Sequence, residues 1–320
     1  MSQIDVFNGD ADGLCALHQL RLAEPADSEL VTGPKRDISL LKRVEAGAGD
    51  RVTVLDIALS KNRDALDRLL AAGARVRYFD HHQPGEIPTH PNFEPHIDTE
   101  ASTCTSLLVN AYLNGRHLPW AVAAAFGDNL ADSARTAATP LRYSADQLAQ
   151  LQSLGECLNY NGYGDTLEDL FYDPADLYRQ LRPFSDPFAF IAESPAYATL
   201  KAGYAEDMAH ALAVTAAESR EAGRIFMLPA EKWARRISGV FGNALAVEAP
   251  TQAHAVLTAK PDGGYVVSVR APLAARSGAD ELCSQFDTGG GRKAAAGINH
   301  LPESGLGRFI ASFYAVFSRS

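Results

Sequence analysis

Asp80-His81-His82 closes the apolar run Val76-Arg77-Tyr78-Phe79. Two adjacent imidazoles and a carboxylate at the carboxyl end of a strand can supply a metal ligand and a phosphate contact within one turn of backbone. Three other segments share this construction, an apolar run of strand length that ends in acidic residues. They are Ile4-Asp5-Val6-Phe7 before Asn8-Gly9-Asp10-Ala11-Asp12-Gly13, Val52-Thr53-Val54-Leu55 before Asp56, and the Ala-rich run Ala121 to Phe126 before Gly127-Asp128-Asn129. The carboxyl ends of the strands of an open parallel sheet share one edge, where such proteins place their sites. Asp10, Asp12, Asp56, His81 and Asp128 are therefore expected to meet. Asp10 and Asp12 are two residues apart, so extended backbone sends both side chains, with Asn8, to one face, and Gly9 and Gly13 let the chain turn sharply around them. Carboxylates gathered without cations raise one another's pKa values. Hard oxygen donors with one or two imidazoles suit magnesium or manganese better than zinc, and a pair of such ions sharing a bridging carboxylate serves phosphoryl transfer. Taken singly, each aspartate also suits a helix cap or a turn; the ordered set points to a metal centre.

Positioning these groups requires an α/β sheet. Strand-like runs at 3–7, 28–32, 51–56 and 75–80 alternate with amphipathic stretches at about 12–24, 37–47 and 60–72, and Gly73 marks a helix stop. This alternation predicts a doubly wound parallel sheet. Pro84, Pro88, Pro91 and Pro95 break the chain into a loop with a short strand near 92–97. Ser102-Thr103-Cys104-Thr105-Ser106 then introduces a helix to Asn114; its hydroxyls suit helix capping, and a helix N-terminus also receives phosphate. Residues 119 to about 220 read as mostly helical, with helices over 145–160 and 196–222, and aromatics such as Tyr160 and Tyr163 are expected in the core. From Arg224 the pattern becomes α+β. It has a strand at 225–228, a hairpin of 255–258 and 265–269 around Pro261-Asp262-Gly263-Gly264, a helical run at 278–286, and the glycine triplet Gly289-Gly290-Gly291 before Arg292.

With 320 residues the chain is long enough for two domains. No apolar run reaches the length of a membrane span and the start lacks the regions of a signal peptide, so a cytoplasmic protein without a membrane role is expected. The four cysteines are scattered and read as buried free thiols. A net charge of -10 with no basic stripe argues for a small anionic ligand over a long nucleic-acid strand, and Lys35-Arg36 and Arg235-Arg236 read as ordinary surface.

The ordered set Asn8 to Gly13, Asp56, Asp80-His81-His82 and Gly127-Asp128-Asn129 resembles the four motifs of the DHH phosphoesterases. Val267-Ser268-Val269-Arg270 and Gly289 to Gly297 resemble the DHHA1 domain that follows in one large branch. The resemblance implies a catalytic DHH domain over 1–190, a helical linker over 191–222 and a smaller α+β DHHA1 domain over 223–320. It also implies two divalent cations, manganese first and magnesium as the alternative. Asp10 and Asp12 would hold different ions, Asp56 would bridge them, His81 and Asp128 would complete the second site, and Asn8 would contribute weakly. His82 would contact the scissile phosphate and Asp80 would support a histidine. Arg270, Asn243, Gly289, Gly290, Gly291 and Arg292 would bind substrate. Two positions depart from the family pattern. Asn8 stands where His or Asp is usual, and Arg292, which holds phosphate but does not act as a general acid near neutral pH, stands where His is usual. The expected reaction is hydrolysis of linear dinucleotides or very short oligoribonucleotides. Cyclic dinucleotides, bisphosphorylated nucleosides and pyrophosphate are rival substrates, and a non-catalytic nucleotide sensor is the rival of another class. A homodimer is implied by the resemblance alone.

Overall fold

The computed structural model describes residues 1–318. Two compact units divide after Ala202, inside the segment 191–222. Ala196, Tyr197 and Leu200 from that segment are buried in the core of the first unit.

In the first unit, β1 (Gln3–Phe7), α1 (Ala11–Ala23), β2 (Glu29–Val31), β3 (Arg51–Leu55), α2 (Leu59–Ala71), β4 (Arg75–Asp80) and β5 (Phe93–Ile97) come first. Helices α3 (Thr105–Tyr112), α4 (Leu118–Gly127), α5 (Ala131–Ala138), α6 (Ala145–Gly162), α7 (Pro174–Leu181) and α8 (Pro187–Glu193) follow, and α9 (Pro195–Leu212) contains the boundary between the units. The strands form one parallel sheet in the order β2-β1-β3-β4-β5. Alternation along each strand divides the core in two. Phe7, Leu55 and Phe79 face the layer built with α1, α3, α4 and α6, whereas Val6, Val54 and Tyr78 face α2. Each such fully buried side chain contributes roughly 1.5–3 kcal/mol. Asp5 is wholly buried on the first of these faces; its carboxylate accepts from Arg21 of α1 at 2.6 and 2.8 Å and from Ser28 at 2.6 Å. The buried charge is thereby paired and hydrogen-bonded, and α1 is tied to the sheet.

The observed elements depart from the sequence expectation at identifiable places. The stretch 37–47 forms only a single 3-10 turn over Leu40–Arg43. Buried Asn62 accepts from the Leu41 N–H at 3.2 Å and donates to the Ile38 carbonyl at 2.7 Å, taking backbone groups that a longer helix would have paired internally. The apolar run Ala121 to Phe126, of strand length but within the stretch read as helical, is helix α4, in keeping with the helical preference of alanine and with Pro119 in the first turn. Helix α9 stops at Leu212, because Glu218–Arg220 instead pairs with a neighbouring strand.

The second unit contains β6 (Glu218–Arg220), β7 (Gly223–Leu228), α10 (Lys232–Glu248), β8 (Ala253–Ala259), β9 (Tyr265–Arg270), α11 (Ala279–Cys283), β10 (Gly289–Gly291), β11 (Ala295–Leu301) and α12 (Leu306–Phe317). Its sheet runs β10-β11-β9-β8-β7-β6. The β8–β9 hairpin forms at the expected turn. The glycine triplet is an edge strand antiparallel to β11.

Helices α4 and α6 cross with glycines in contact. A Cβ on Gly155 would lie 1.9 Å from the Ala123 carbonyl oxygen, and one on Gly127 would lie 2.5 Å from Ala11 Cβ. Asp128 directly follows α4, so this crossing sets its position. Gly155→Ala is expected to cost about 1–3 kcal/mol through overpacking, read as a lower urea midpoint at unchanged slope, and to displace Asp128.

Candidate metal centre

Three strands of the first sheet deliver acidic residues to one edge. After β1, Asp10 caps α1: its Oδ1 accepts the N–H groups of Asp12 and Gly13 at 3.0 and 3.1 Å. Gly13 permits the tight return, since a Cβ there would lie 2.2 Å from the Asn8 carbonyl oxygen. Asp12, on the first turn of α1, is buried and reaches α3, where its two oxygens accept the N–H groups of Thr105 and Ser106 at 2.7 Å each. The N-terminus of α3 is therefore occupied by a protein carboxylate, the arrangement a helix dipole favours. The nearby hydroxyls point to the same cluster, with Ser106 donating to the Asp12 carbonyl at 2.8 Å and Thr105 donating to Asp56 at 3.2 Å.

Asp56 follows β3 in the left-handed region, with φ 60°, a conformation that aspartate and asparagine tolerate better than most residues. After β4, His81 places Nδ1 3.1 Å from the Thr103 carbonyl oxygen. A carbonyl only accepts, so Nδ1 carries a proton and Nε2 is the nitrogen turned to the carboxylates. That nitrogen lies 3.5 Å from Asp56, 3.8 Å from Asp128 and 4.0 Å from Asp12. His82 donates from Nδ1 to Asp80 at 2.7 Å. Asp80 is fully buried, and its second oxygen has no hydrogen-bond partner.

Two sets of ligand atoms are close enough to hold a cation, Asp12 with His81 and Asp128, and Asp56 with His81 and His82. The structure thus brings together Asp12, Asp56, His81 and Asp128 as anticipated. Asp128 arrives from the C-terminal end of α4 and not from a strand. Asn8 is buried with its side-chain oxygen unpaired, while its backbone N–H donates to the Leu55 carbonyl at 3.2 Å. Asp10 lies in neither set. Its other oxygen accepts from Lys35 at 2.5 Å, a residue that read from sequence as ordinary surface. Lys35 also donates to Asn159 Oδ1 at 3.2 Å and lies 3.5 Å from Asp128. A signal for Lys35 was present in the chain: it follows β2 as Asp10 follows β1, and so belongs to the same sheet edge.

Burial and the carboxylates of Asp10, Asp12 and Asp128 push Asp56 well above the usual carboxylate range. Burial and neighbouring carboxylates also raise Asp128, against the opposing charge of Lys35. Burial would raise Asp10 too, but the Lys35 charge and hydrogen bond outweigh it and hold Asp10 below its ordinary value. His82 loses basicity through burial and regains more from Asp80, so it is held above the ordinary imidazole value. Burial and the Asp12 charge push the thiols of Cys15 and Cys104 well up, and they remain protonated beside the oxygen donors.

The substrate residues anticipated in the second unit form a set of their own. Arg270, on β9, donates to Asn243 at 2.6 Å, to Ser268 at 2.9 Å and to the Gly239 carbonyl at 3.1 Å. Ala295 pairs with Arg270 across the sheet and accepts the backbone N–H of Arg292 at 2.8 Å, so both arginines belong to one end of it. Gly291 has φ 143°, a value that side chains disfavour, and a Cβ on Gly290 would meet nothing within 4 Å.

No protein-family model matches the chain, and no curated protein does. Solved structures do. A DHH-domain protein described as a member of a family of ribosomal proteins superposes with a TM-score of 0.64 at 15% identity, over 98% of this chain and 86% of its own. The exonuclease RecJ bound to manganese gives 0.65 at 19% identity, over 99% and 90%. The pGpG-specific phosphodiesterase PggH from Vibrio cholerae gives 0.59 at 13% identity, over 100% and 99%. Among the described residues no helix is long and apolar enough to cross a membrane. The parallel first sheet with its ordered acidic edge, the separate second sheet and these end-to-end superpositions agree: the chain has the DHH/DHHA1 two-domain fold.

Proposed function

We propose that this protein is a divalent-cation-dependent phosphodiesterase that hydrolyses linear dinucleotides or very short oligoribonucleotides, such as pGpG or pApA, to 5'-mononucleotides. The observation that carries the reading is the convergence of Asp12, Asp56 and Asp128 on Nε2 of His81. The donor set fits a hard cation. Oxygens dominate, the Nδ1–H of His81 is held by Thr103, the thiols stay protonated, and burial with neighbouring carboxylates raises Asp56 and Asp128. Asp12, Asp56, His81 and Asp128, with Asp10 and the weaker Asn8, would hold a pair of such ions, with manganese expected and magnesium the alternative. Such an ion supplies Lewis acidity and lowers the pKa of a coordinated water.

The remaining roles belong to the chain's own groups. Asp80 fixes the ring of His82 and favours its protonated form, which leaves Nε2 to donate a hydrogen bond to a phosphoryl oxygen as negative charge grows there. Arg270, Asn243, the glycine strand and Arg292 are assigned to holding the nucleotide. The substrate class draws support from the pGpG specificity of one structural neighbour, and from a net charge of -10 that disfavours a long polyanion.

The raised carboxyl of Asp56 gives a stability test. Between the ordinary carboxylate range and the raised folded value, the native chain binds a proton that the unfolded chain does not. Metal-free stability therefore falls as pH rises through that window. Asp56→Asn removes this penalty and keeps a residue suited to positive φ. In thermal melts at neutral pH, the metal-free variant is expected to unfold at a higher temperature than the wild type. The wild type is expected to gain about 2.7 kcal/mol from manganese at a hundredfold excess over Kd, and the variant to gain almost nothing.

Catalysis is tested by initial rates with manganese on 5'-phosphorylated di-, tri- and pentanucleotides, cyclic dinucleotides, pyrophosphate and bisphosphorylated adenosine. Dinucleotides are expected to be fastest. His82→Ala should lower kcat by about 10²–10³-fold while leaving manganese affinity nearly unchanged. Tight nucleotide binding with no turnover under any divalent ion would instead identify a sensor.

A further inference from the structure

We propose that Lys35 permanently fills one of the two cation positions that the motif pattern anticipates, so that the centre takes a single divalent ion, on Asp12, Asp56, His81 and Asp128. This inference rests on the metal-dependent reading above and changes the number of ions it requires.

Its ground is the surroundings of the Lys35 ammonium. Nζ lies 2.5 Å from Asp10 Oδ2, 3.2 Å from Asn159 Oδ1 and 3.5 Å from Asp128 Oδ1. Three oxygens from three separate segments surround one positive charge, the kind of donor shell that a hard cation selects. Asp10 meanwhile turns its other oxygen to the N–H groups of Asp12 and Gly13. It takes part in neither of the two groups of ligand atoms that converge on His81. An ion seated on Asp10 would have to displace the ammonium, since the two positive charges would share the same oxygens.

The backbone holds Lys35 in this place. Its N–H donates to the Gly162 carbonyl at 2.9 Å. The preceding turn lies so close to Gly9 that a Cβ there would fall 2.2 Å from the Gly33 carbonyl oxygen, and a Cβ on Gly162 would lie 3.0 Å from Asp10 Cβ. Glycines at 9 and 162 therefore let the β2 loop close on Asp10. The neutral Asn8 follows the same logic. A centre with one ammonium and one divalent ion has less positive charge to balance than a centre with two divalent ions, and an amide in place of a carboxylate matches that reduction.

The test counts ions directly on the full chain, stripped with chelator and titrated with manganese by calorimetry and by electron paramagnetic resonance. Wild type is expected to bind one ion with the spectrum of an isolated centre. Lys35→Gln is expected to bind two, with the spectrum of a spin-coupled pair. Asp10→Asn is expected to keep the wild-type manganese Kd within about threefold, because Asp10 serves the lysine and not the ion; this variant decides the matter if Lys35→Gln does not fold. Two coupled ions in wild type, one ion in folded Lys35→Gln, or a tenfold or greater loss of affinity in Asp10→Asn would each overturn the proposal and leave the metal-dependent reading standing. No manganese bound to any of these chains would overturn both.

Discussion

Negative charge buried at one edge of the first sheet is the constraint on which the rest of this unit depends. Two carboxylates about 4 Å apart repel by ~4 kcal/mol at the effective dielectric of a protein, and Asp10, Asp12, Asp56, Asp80 and Asp128 all stand there. The fold answers most of them individually. Asp12 is met by the amides that open α3, Asp10 by Lys35 and its own helix start, and Asp80 by His82. Among the described residues Asp56 has no cation of the chain beside it other than the imidazoles, Asp128 shares Lys35 with Asp10, and both face Nε2 of His81. A divalent cation would balance such an arrangement.

Holding these groups together requires backbones to approach more closely than side chains would allow. Gly13 lets the chain fold back over Asn8, Gly9 admits the β2 loop, and Gly127 and Gly155 let α4 and α6 meet directly. Each contact lies next to a residue of the centre. The glycines of the acidic motif and of the α4–α6 crossing thus do the same work, which is to set carboxylate positions through main-chain packing.

In the second unit Arg270 gives donors to an amide, a hydroxyl and carbonyls of its own unit. Neutral acceptors such as these fix the plane of a guanidinium, which stays cationic throughout, and a fixed guanidinium is suited to recognising an anion. The first unit presents buried negative charge and the second an oriented cation.

Local residue order determined much of the first sheet, because strand runs of β-branched residues alternating with amphipathic helices admit few topologies. The acidic motifs could be found for the same reason: Asp10, Asp12, Asp56 and His81 each end or directly follow a strand, and parallel strands share an edge. Asp128 was found through its motif, and the helical reading of 119–220 covers the alanine-rich run before it, which is helix α4. Residues 37–47 looked helical until Asn62, distant in sequence, claimed their backbone groups. The partners were hidden altogether. That Asp12 belongs to α3, that Thr103 orients His81 and that Lys35 answers Asp10 are contacts between segments far apart in the chain. Only the folded chain decides them, because the Coulomb and hydrogen-bond terms that select a charge's partner depend on distance in space, which residue spacing does not encode.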